Sequence, residues 1–278
     1  MTFLEKLNRS ISLNNSLLCV GLDTDASKLP KSIAGSADPI VAFNRRIIEA
    51  TKDVACAYKI NLAFYESLGE RGWKAVHETL DAVPNSVITI GDAKRGDIGN
   101  SAAQYAKVLM DDFKFDASTV NAYMGKDCVD PFIAREDRGA FVLALTSNPG
   151  SKDFQLMKSG TKPLYLHVAA KAKKWNEKKN LGLVVGATHP ADLAKIRKTV
   201  PDMPLLIPGV GAQGGDMRAV VKHGCTKSGS LAIINASRSI LYASSGEDFA
   251  DAARNEALRM RDAINAYRRE FFGVEQKQ

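Results

Sequence analysis

Ser86-Val87-Ile88-Thr89-Ile90-Gly91-Asp92-Ala93-Lys94-Arg95-Gly96-Asp97-Ile98-Gly99-Asn100 begins as an apolar run and ends in charge. Its first five residues read as a short buried strand. Alternate residues of an extended chain share a face, so Ile88, Ile90, Asp92 and Lys94 are expected to project the same way. Glycines at 91, 96 and 99 allow tight turns before a helical run that opens at Asn100. A carboxylate and an ammonium thus stand together at the end of a core strand, with Asp97 at a helix start. The pattern has two readings. One is a strand-end ion pair followed by an aspartate helix cap, the other a charged site at the mouth of a barrel.

Outward from this stretch, short apolar runs alternate with amphipathic ones along the whole chain. Strands are expected over 17–22, 54–60, 86–91, 117–121, 140–145, 182–186, 204–208 and 231–235. Helices are expected over 39–52, 68–83, 100–113, 126–135, 163–178, 190–199, 215–223 and 247–272, several opening with a proline in the first turn. Eight βα units at roughly 35 residues each predict a (β/α)8 TIM barrel. It would be one domain spanning 1–278, with a short N-terminal helix and a short polar tail. A doubly wound open sheet gives the same local signals.

The 278 residues, 45% of them hydrophobic, suffice for a large core. No apolar run approaches the ~20 residues a bilayer span needs, so no membrane partner is expected. The N-terminus lacks the form of a secretory signal, which points to the cytoplasm. Cys19, Cys56, Cys128 and Cys225 show neither a C-x-x-C pair nor metal-ligand spacing, as suits reduced, buried thiols. The net charge of +7 lies largely in helical runs such as Lys171-Ala172-Lys173-Lys174. Without an aromatic-rich basic stripe, no nucleic-acid partner is expected.

Chemistry in a barrel sits at the C-terminal ends of the strands, and the unusual residues fall there. Asp23 follows the first strand, Lys59 ends the second, and Asp92 and Lys94 end the third. The fifth runs into Thr146-Ser147-Asn148-Pro149-Gly150, where Ser147 is either a turn residue or a ligand contact. The seventh runs into Pro208-Gly209-Val210-Gly211-Ala212-Gln213-Gly214-Gly215, which contains G-x-G-x-x-G. A dinucleotide site would place an acid about 20 residues on, yet the next strand ends Asn235-Ala236-Ser237-Arg238. A phosphate cradle with Arg238 as its cation fits better, against a plain turn with a surface arginine. Lys59, Asp92, Lys94 and Asp97 can hold one another ionised. Such a network is costly in an apolar mouth, which implies a task. The histidines show no ligand spacing.

Asp92-Ala93-Lys94-Arg95-Gly96-Asp97-Ile98-Gly99-Asn100 resembles the signature of the orotidine 5′-phosphate decarboxylase family, in its longer subfamily. Val20-Gly21-Leu22-Asp23, Lys59 with the 61–66 run, Ser147-Asn148-Pro149-Gly150, the 208–215 loop and Ser237-Arg238-Ser239-Ile240 also match, in family order. The resemblance implies a homodimeric (β/α)8 barrel, free of cofactor and metal. It would convert orotidine 5′-phosphate to UMP and carbon dioxide, the last step of de novo UMP synthesis. Carried over, Asp23 and Lys59 hold ribose hydroxyls, Asp92 lies against the substrate carboxylate, and Lys94 is the proton donor to C6. Asp97, Ile98 and Ser101 reach into the partner subunit's site. Ser147 meets the pyrimidine edge, Gln213 and Arg238 grip the phosphate, and Pro208 and Ser237 also contact substrate. Two positions depart from the family: Thr24 where proline is frequent, and Ser101 where threonine is usual. Three rivals stand beside this reading. One is a magnesium-dependent sugar-phosphate synthase or decarboxylase of the same superfamily, which carries an acid where this chain has Lys59. Another is a non-catalytic nucleotide- or phosphate-binding barrel. The third, a basic nucleic-acid-binding protein, would show steep salt-dependent binding to arbitrary DNA or RNA.

Overall fold

A computed structural model describes residues 1–210 and 214–274. Eight parallel strands form one closed barrel: β1 (Leu18–Gly21), β2 (Ala57–Asn61), β3 (Ile88–Arg95), β4 (Ala117–Val120), β5 (Gly139–Leu145), β6 (Leu181–Val185), β7 (Leu205–Pro208) and β8 (Ala232–Ala236). Closure comes from β1 pairing with β8, Leu18 opposite Ile234 and Cys19 opposite Asn235. That pairing decides against the open sheet. The strands are apolar and buried along most of their length, as expected when both faces are covered.

Outer helices span Pro39–Thr51, Glu70–Leu80, Gly99–Lys107, Leu164–Trp175, Pro190–Thr199, Met217–Gly224 and Phe249–Phe272. Their starts follow capping chemistry. Asp38 accepts the Ile40 and Val41 amides just ahead of Pro39, and Asp216 accepts those of Arg218 and Ala219. The expected N-terminal helix, Phe3–Leu13, starts with a reciprocal Thr2–Glu5 capping box. It stoppers the N-terminal end of the barrel. Phe3 is fully buried against Gly139 at the start of β5, where an added Cβ would lie 2.5 Å from the ring. At the same end the buried Arg197 guanidinium donates to the carbonyls of Val200, Met203 and Gly224. Burial lowers its pKa to about 10. This end is built for stability, which leaves the opposite rim for chemistry.

Four expectations need correction. The helix expected over 126–135 is absent; the segment holds a single 3-10 turn, Asp130–Phe132. Pro131 supplies no amide and its ring would clash with a helical carbonyl four residues back. The helix expected over 68–83 starts at Glu70, after Gly69 at φ 62° separates it from a turn of helix at Ala63–Glu66. The helix expected over 100–113 is α-helical only to Lys107 and widens into a π turn over Val108–Asp112. Finally, β3 runs on to Arg95, four residues past its expected end. All four cysteines are buried and free. Among the described residues no helix is long and apolar enough to cross a membrane.

Candidate active site

The C-terminal rim carries a continuous chain of hydrogen-bonded charge that crosses five neighbouring strands. Ser237, after β8, donates to Asp23 Oδ2 at 2.8 Å. Asp23, after β1, accepts Lys59 Nζ at 3.0 Å on its other oxygen. Lys59, on β2, also donates to Asp92 Oδ2 at 3.1 Å, and Lys94 Nζ reaches Asp92 Oδ1 at 2.7 Å. Thr119, on β4, donates to that same Oδ1 at 2.8 Å. The close approach of β8 to β1 depends on a missing side chain. A Cβ at Gly21 would fall 2.0 Å from Ser237 Oγ.

Electrostatics follow from burial. The Lys59 side chain is 4% exposed and that of Asp92 10%, whereas Lys94 remains 48% exposed. Burial by itself would raise the Asp92 pKa. The ammonium groups of Lys59 and Lys94, with hydrogen bonds from Lys94 and Thr119, overcome that and hold the carboxyl well below the usual carboxylate range. Burial likewise pulls Lys59 down, and the Asp23 and Asp92 charges more than reverse it, so the ammonium is held above its ordinary range. Both groups are therefore ionised at neutral pH. The most exposed member of the set is Lys94.

Strict alternation placed Asp92 and Lys94 on one face. The structure brings them together by another route. Gly91 pairs with Ser118 and Arg95 with Val120, so three residues of β3 bulge out opposite Thr119 alone. Within the bulge Lys94 takes a left-handed backbone at φ 48°. Arg95, next along, pairs with Glu66 and lies over the Tyr105 ring at 5.3 Å, anchoring the exit of the bulge.

A buried polar knot stands behind Asp23. Thr24 donates to Asn44 Oδ1 at 2.6 Å, and Asn44 donates to Tyr65 at 2.8 Å and Thr79 at 2.9 Å. Tyr65 in turn donates to the Leu22 carbonyl at 2.9 Å. Here the departure at position 24 has a purpose, since a proline could not supply that hydroxyl.

The charged chain forms part of the wall of a cavity of about 400 Å³. Ser147, Pro208, Gly209, Ser237 and Arg238 line the same cavity, so the expected pyrimidine and phosphate contacts share one space with Asp23, Lys59, Asp92 and Lys94. Gly209, at φ 98°, turns the chain after β7, and its carbonyl accepts the Gly215 amide at 3.2 Å. Gln213, expected on the phosphate, lies outside the described residues. Asp97, Ile98 and Ser101 are apart from this wall. The Asp97 carboxylate accepts the Ile98 amide at 2.8 Å, Ile98 is 55% exposed, and Ser101 is exposed in the first turn of its helix. Within one chain the place beside Lys59 that the four-charge grouping gave to Asp97 is taken by Asp23. Thr119 was missed, although a polar pair, Ser118-Thr119, interrupts the apolar β4. Asn235 on β8 was missed too; its Oδ1 is buried and meets no donor among the described residues. Among the described residues no three His, Cys, Asp or Glu side chains are grouped to hold a metal ion.

Comparison with known proteins gives a uniform picture. Residues 16–253 match the family model described as "Orotidine 5'-phosphate decarboxylase / HUMPS family". An orotidine 5′-phosphate decarboxylase of Dehalococcoides mccartyi strain CBDB1 is 52% identical over 275 residues, covering 98% of this chain and all of that one. One from Thermomicrobium roseum is 46% identical over 276 residues, covering 98% of each. The structure of Leishmania donovani OMP decarboxylase superposes with a TM-score of 0.86 at 39% identity, over 96% of this chain and 99% of that one.

Proposed function

The chain belongs to the orotidine 5′-phosphate decarboxylase family and is a carboxy-lyase that converts orotidine 5′-phosphate to UMP in pyrimidine biosynthesis; we propose that Lys94, held by Asp92, is the group on which the reaction turns. The observation that carries this assignment is the 2.7 Å contact between the half-exposed Lys94 ammonium and a carboxylate kept ionised by a second, buried lysine.

Breaking the bond between C6 and the carboxylate releases carbon dioxide and leaves an electron pair on C6, in the plane of the ring. The Lys94 ammonium faces that developing anion and stabilises it more than it does the starting carboxylate, which is the direction that speeds the step. Lys94 then gives a proton to C6, forming UMP, and recovers one from water. Asp92 is ionised before substrate arrives and repels the leaving carboxylate, a strain relieved as carbon dioxide departs. Asp23 and Lys59 hold ribose hydroxyls, and Lys59 keeps Asp92 charged. Ser147 meets the pyrimidine edge, while Arg238, Gln213 and the 208–215 backbone bind phosphate, assisted by Pro208 and Ser237. Remote binding energy from the phosphate helps close the site.

The reading extends to assembly. The protein acts as a cytoplasmic homodimer of single-domain barrels, each supplying Asp97, Ile98 and Ser101 to the other's site. The exposed Ile98 beside Asp97 supports a protein neighbour for that loop. The reaction itself uses neither cofactor nor metal.

The test is the decay of orotidine 5′-phosphate absorbance with purified protein in EDTA. Wild type is expected to turn over, and Lys94→Ala to lose turnover while still binding UMP. A Lys94→Ala variant with near-normal kcat would falsify the assignment of Lys94. Wild-type protein that binds UMP without turnover would instead favour the binding barrel.

A further inference from the structure

The bulge in β3 sets a geometric problem that its own residues do not solve. Between the Gly91–Ser118 and Arg95–Val120 pairs, Asp92, Ala93 and Lys94 face a single residue of β4 and cannot continue a regular ladder. Lys94 is moreover in a left-handed conformation, at φ 48°, which a residue with a Cβ rarely adopts. Such strain persists only where the surroundings enforce it.

Thr119 is the residue opposite. Its hydroxyl accepts the Lys94 backbone amide at 2.9 Å and donates to Asp92 Oδ1 at 2.8 Å. One oxygen thereby satisfies the amide left over by the bulge and fixes a carboxylate oxygen two residues earlier. That carboxylate oxygen is also the one that takes the Lys94 ammonium at 2.7 Å. Both ends of Lys94, its amide and its ammonium, are thus referenced to the same hydroxyl, directly and through Asp92. Thr119 is 1% exposed where it lines the cavity, and its hydroxyl is engaged within the protein both as acceptor and as donor.

We propose that Thr119 is a positioning residue for the decarboxylation: its hydroxyl sets where the Lys94 ammonium stands, without touching the substrate. The proposal rests on the reading of Lys94 as the proton donor. A hydroxyl that only filled a polar gap in β4 would affect stability and leave the chemical step alone. A hydroxyl that aims Lys94 would act on kcat.

Thr119→Val keeps the side-chain shape and removes both bonds; Thr119→Ser restores the hydroxyl. The expected result is a fall in kcat of about tenfold to a hundredfold for Thr119→Val, the scale of a small misplacement of a reacting group. UMP has no C6 carboxylate, so its affinity should stay within about threefold, the spread expected when no binding contact is lost. Thr119→Ser should recover most of kcat. If Thr119→Val does not fold, the same comparison is made between Thr119→Ala and Thr119→Ser.

The proposal is overturned by any of three results: kcat for Thr119→Val close to wild type, a Thr119→Ser variant as slow as Thr119→Val, or UMP affinity that falls in step with kcat. Wild-type turnover of orotidine 5′-phosphate, run in parallel, separates the two levels. Wild type active and Thr119→Val equally active sinks this inference alone; wild type inactive sinks the reading beneath it, and the inference with it.

Discussion

Lys59→Met removes the buried cation at the centre of the site while keeping most of its aliphatic stem. The ammonium lies 3.0 Å from Asp23 and 3.1 Å from Asp92. At an effective dielectric of about 20, a contact of that length carries roughly 5 kcal/mol of attraction. Desolvation returns several kcal/mol per ion, so the pairs are only modestly favourable in themselves. The cost of the variant comes from what remains, carboxylates in place and short of a cation, for which ~3–5 kcal/mol is typical. Asp92 keeps Lys94 and Thr119, and Asp23 keeps Ser237 and is 18% exposed. The loss should therefore fall at the low end, about 3 kcal/mol at pH 7.

Acidification gives the sign. In wild type Asp92 is held below its ordinary range. Its contribution is present above the unfolded carboxyl value and disappears only as pH falls through the lower folded value. Lys59 is held above its ordinary range, so its own contribution is complete at neutral pH and lost only as pH rises through the folded value. In Lys59→Met burial still raises Asp92 but one opposing cation is gone. The variant's native state then takes up a proton at higher pH, and its deficit should shrink on going from pH 7 toward pH 4.5, a pH within about a unit of a free carboxyl. Urea unfolding at both pH values reads this directly. A deficit below about 1 kcal/mol, typical of an exposed pair, would refute the reasoning. So would a deficit that grows in acid.

Two further outcomes are expected. Arg238→Ala should weaken UMP binding by about a hundredfold, the worth of a charge-assisted contact to phosphate, with uridine affinity unchanged. Calorimetry that finds equal UMP affinity in wild type and variant would remove Arg238 from the phosphate site. Asp97→Ala and Lys94→Ala, each inactive alone, should recover about a quarter of wild-type activity when mixed and allowed to exchange subunits, because half the dimers then hold one intact site. No recovery from verified hybrid dimers would place Asp97 outside the partner's site.

How much of this was legible in the sequence depends on whether a feature is local. The eight strands were legible because each is a short, mostly apolar run that gives way to polar, charged, glycine or proline residues. Their number predicted a closed barrel, but β1–β8 pairing joins residues more than 200 apart, so local signals alone left the open sheet as an alternative. The false helix over 126–135 shows pattern outweighing chemistry, when Pro131 already argued against it. At the site, Asp92 and Lys94 were paired by a parity argument that the bulge does not obey, and the contact survives because Thr119 re-aims Lys94. Thr119 itself carries only a weak local signal, a polar pair within a buried strand. A threonine is at home in any strand, and its importance comes from what lies opposite on β3. Asp97 is the converse case, a residue with a strong sequence signal whose carboxylate accepts the Ile98 amide and stands apart from the charged wall.

The identity of residue 59 bears on which chemistry of the superfamily this barrel performs. A metal-assisted site needs carboxylate oxygens with room for a hard cation. Here both candidate carboxylates are already neutralised from within: Asp23 by Lys59, and Asp92 by Lys59 and Lys94. A divalent ion about 4 Å from each ammonium would meet roughly 8 kcal/mol of repulsion apiece at an effective dielectric of about 20. Displacing Lys59 would instead strand its charge in a buried setting, at the cost argued for its removal. The residues therefore favour an internal cation over a bound one. In the mechanism proposed above, the Lys94 ammonium also brings what a bare metal ion does not, a proton. The one side chain would then stabilise the C6 electron pair and quench it.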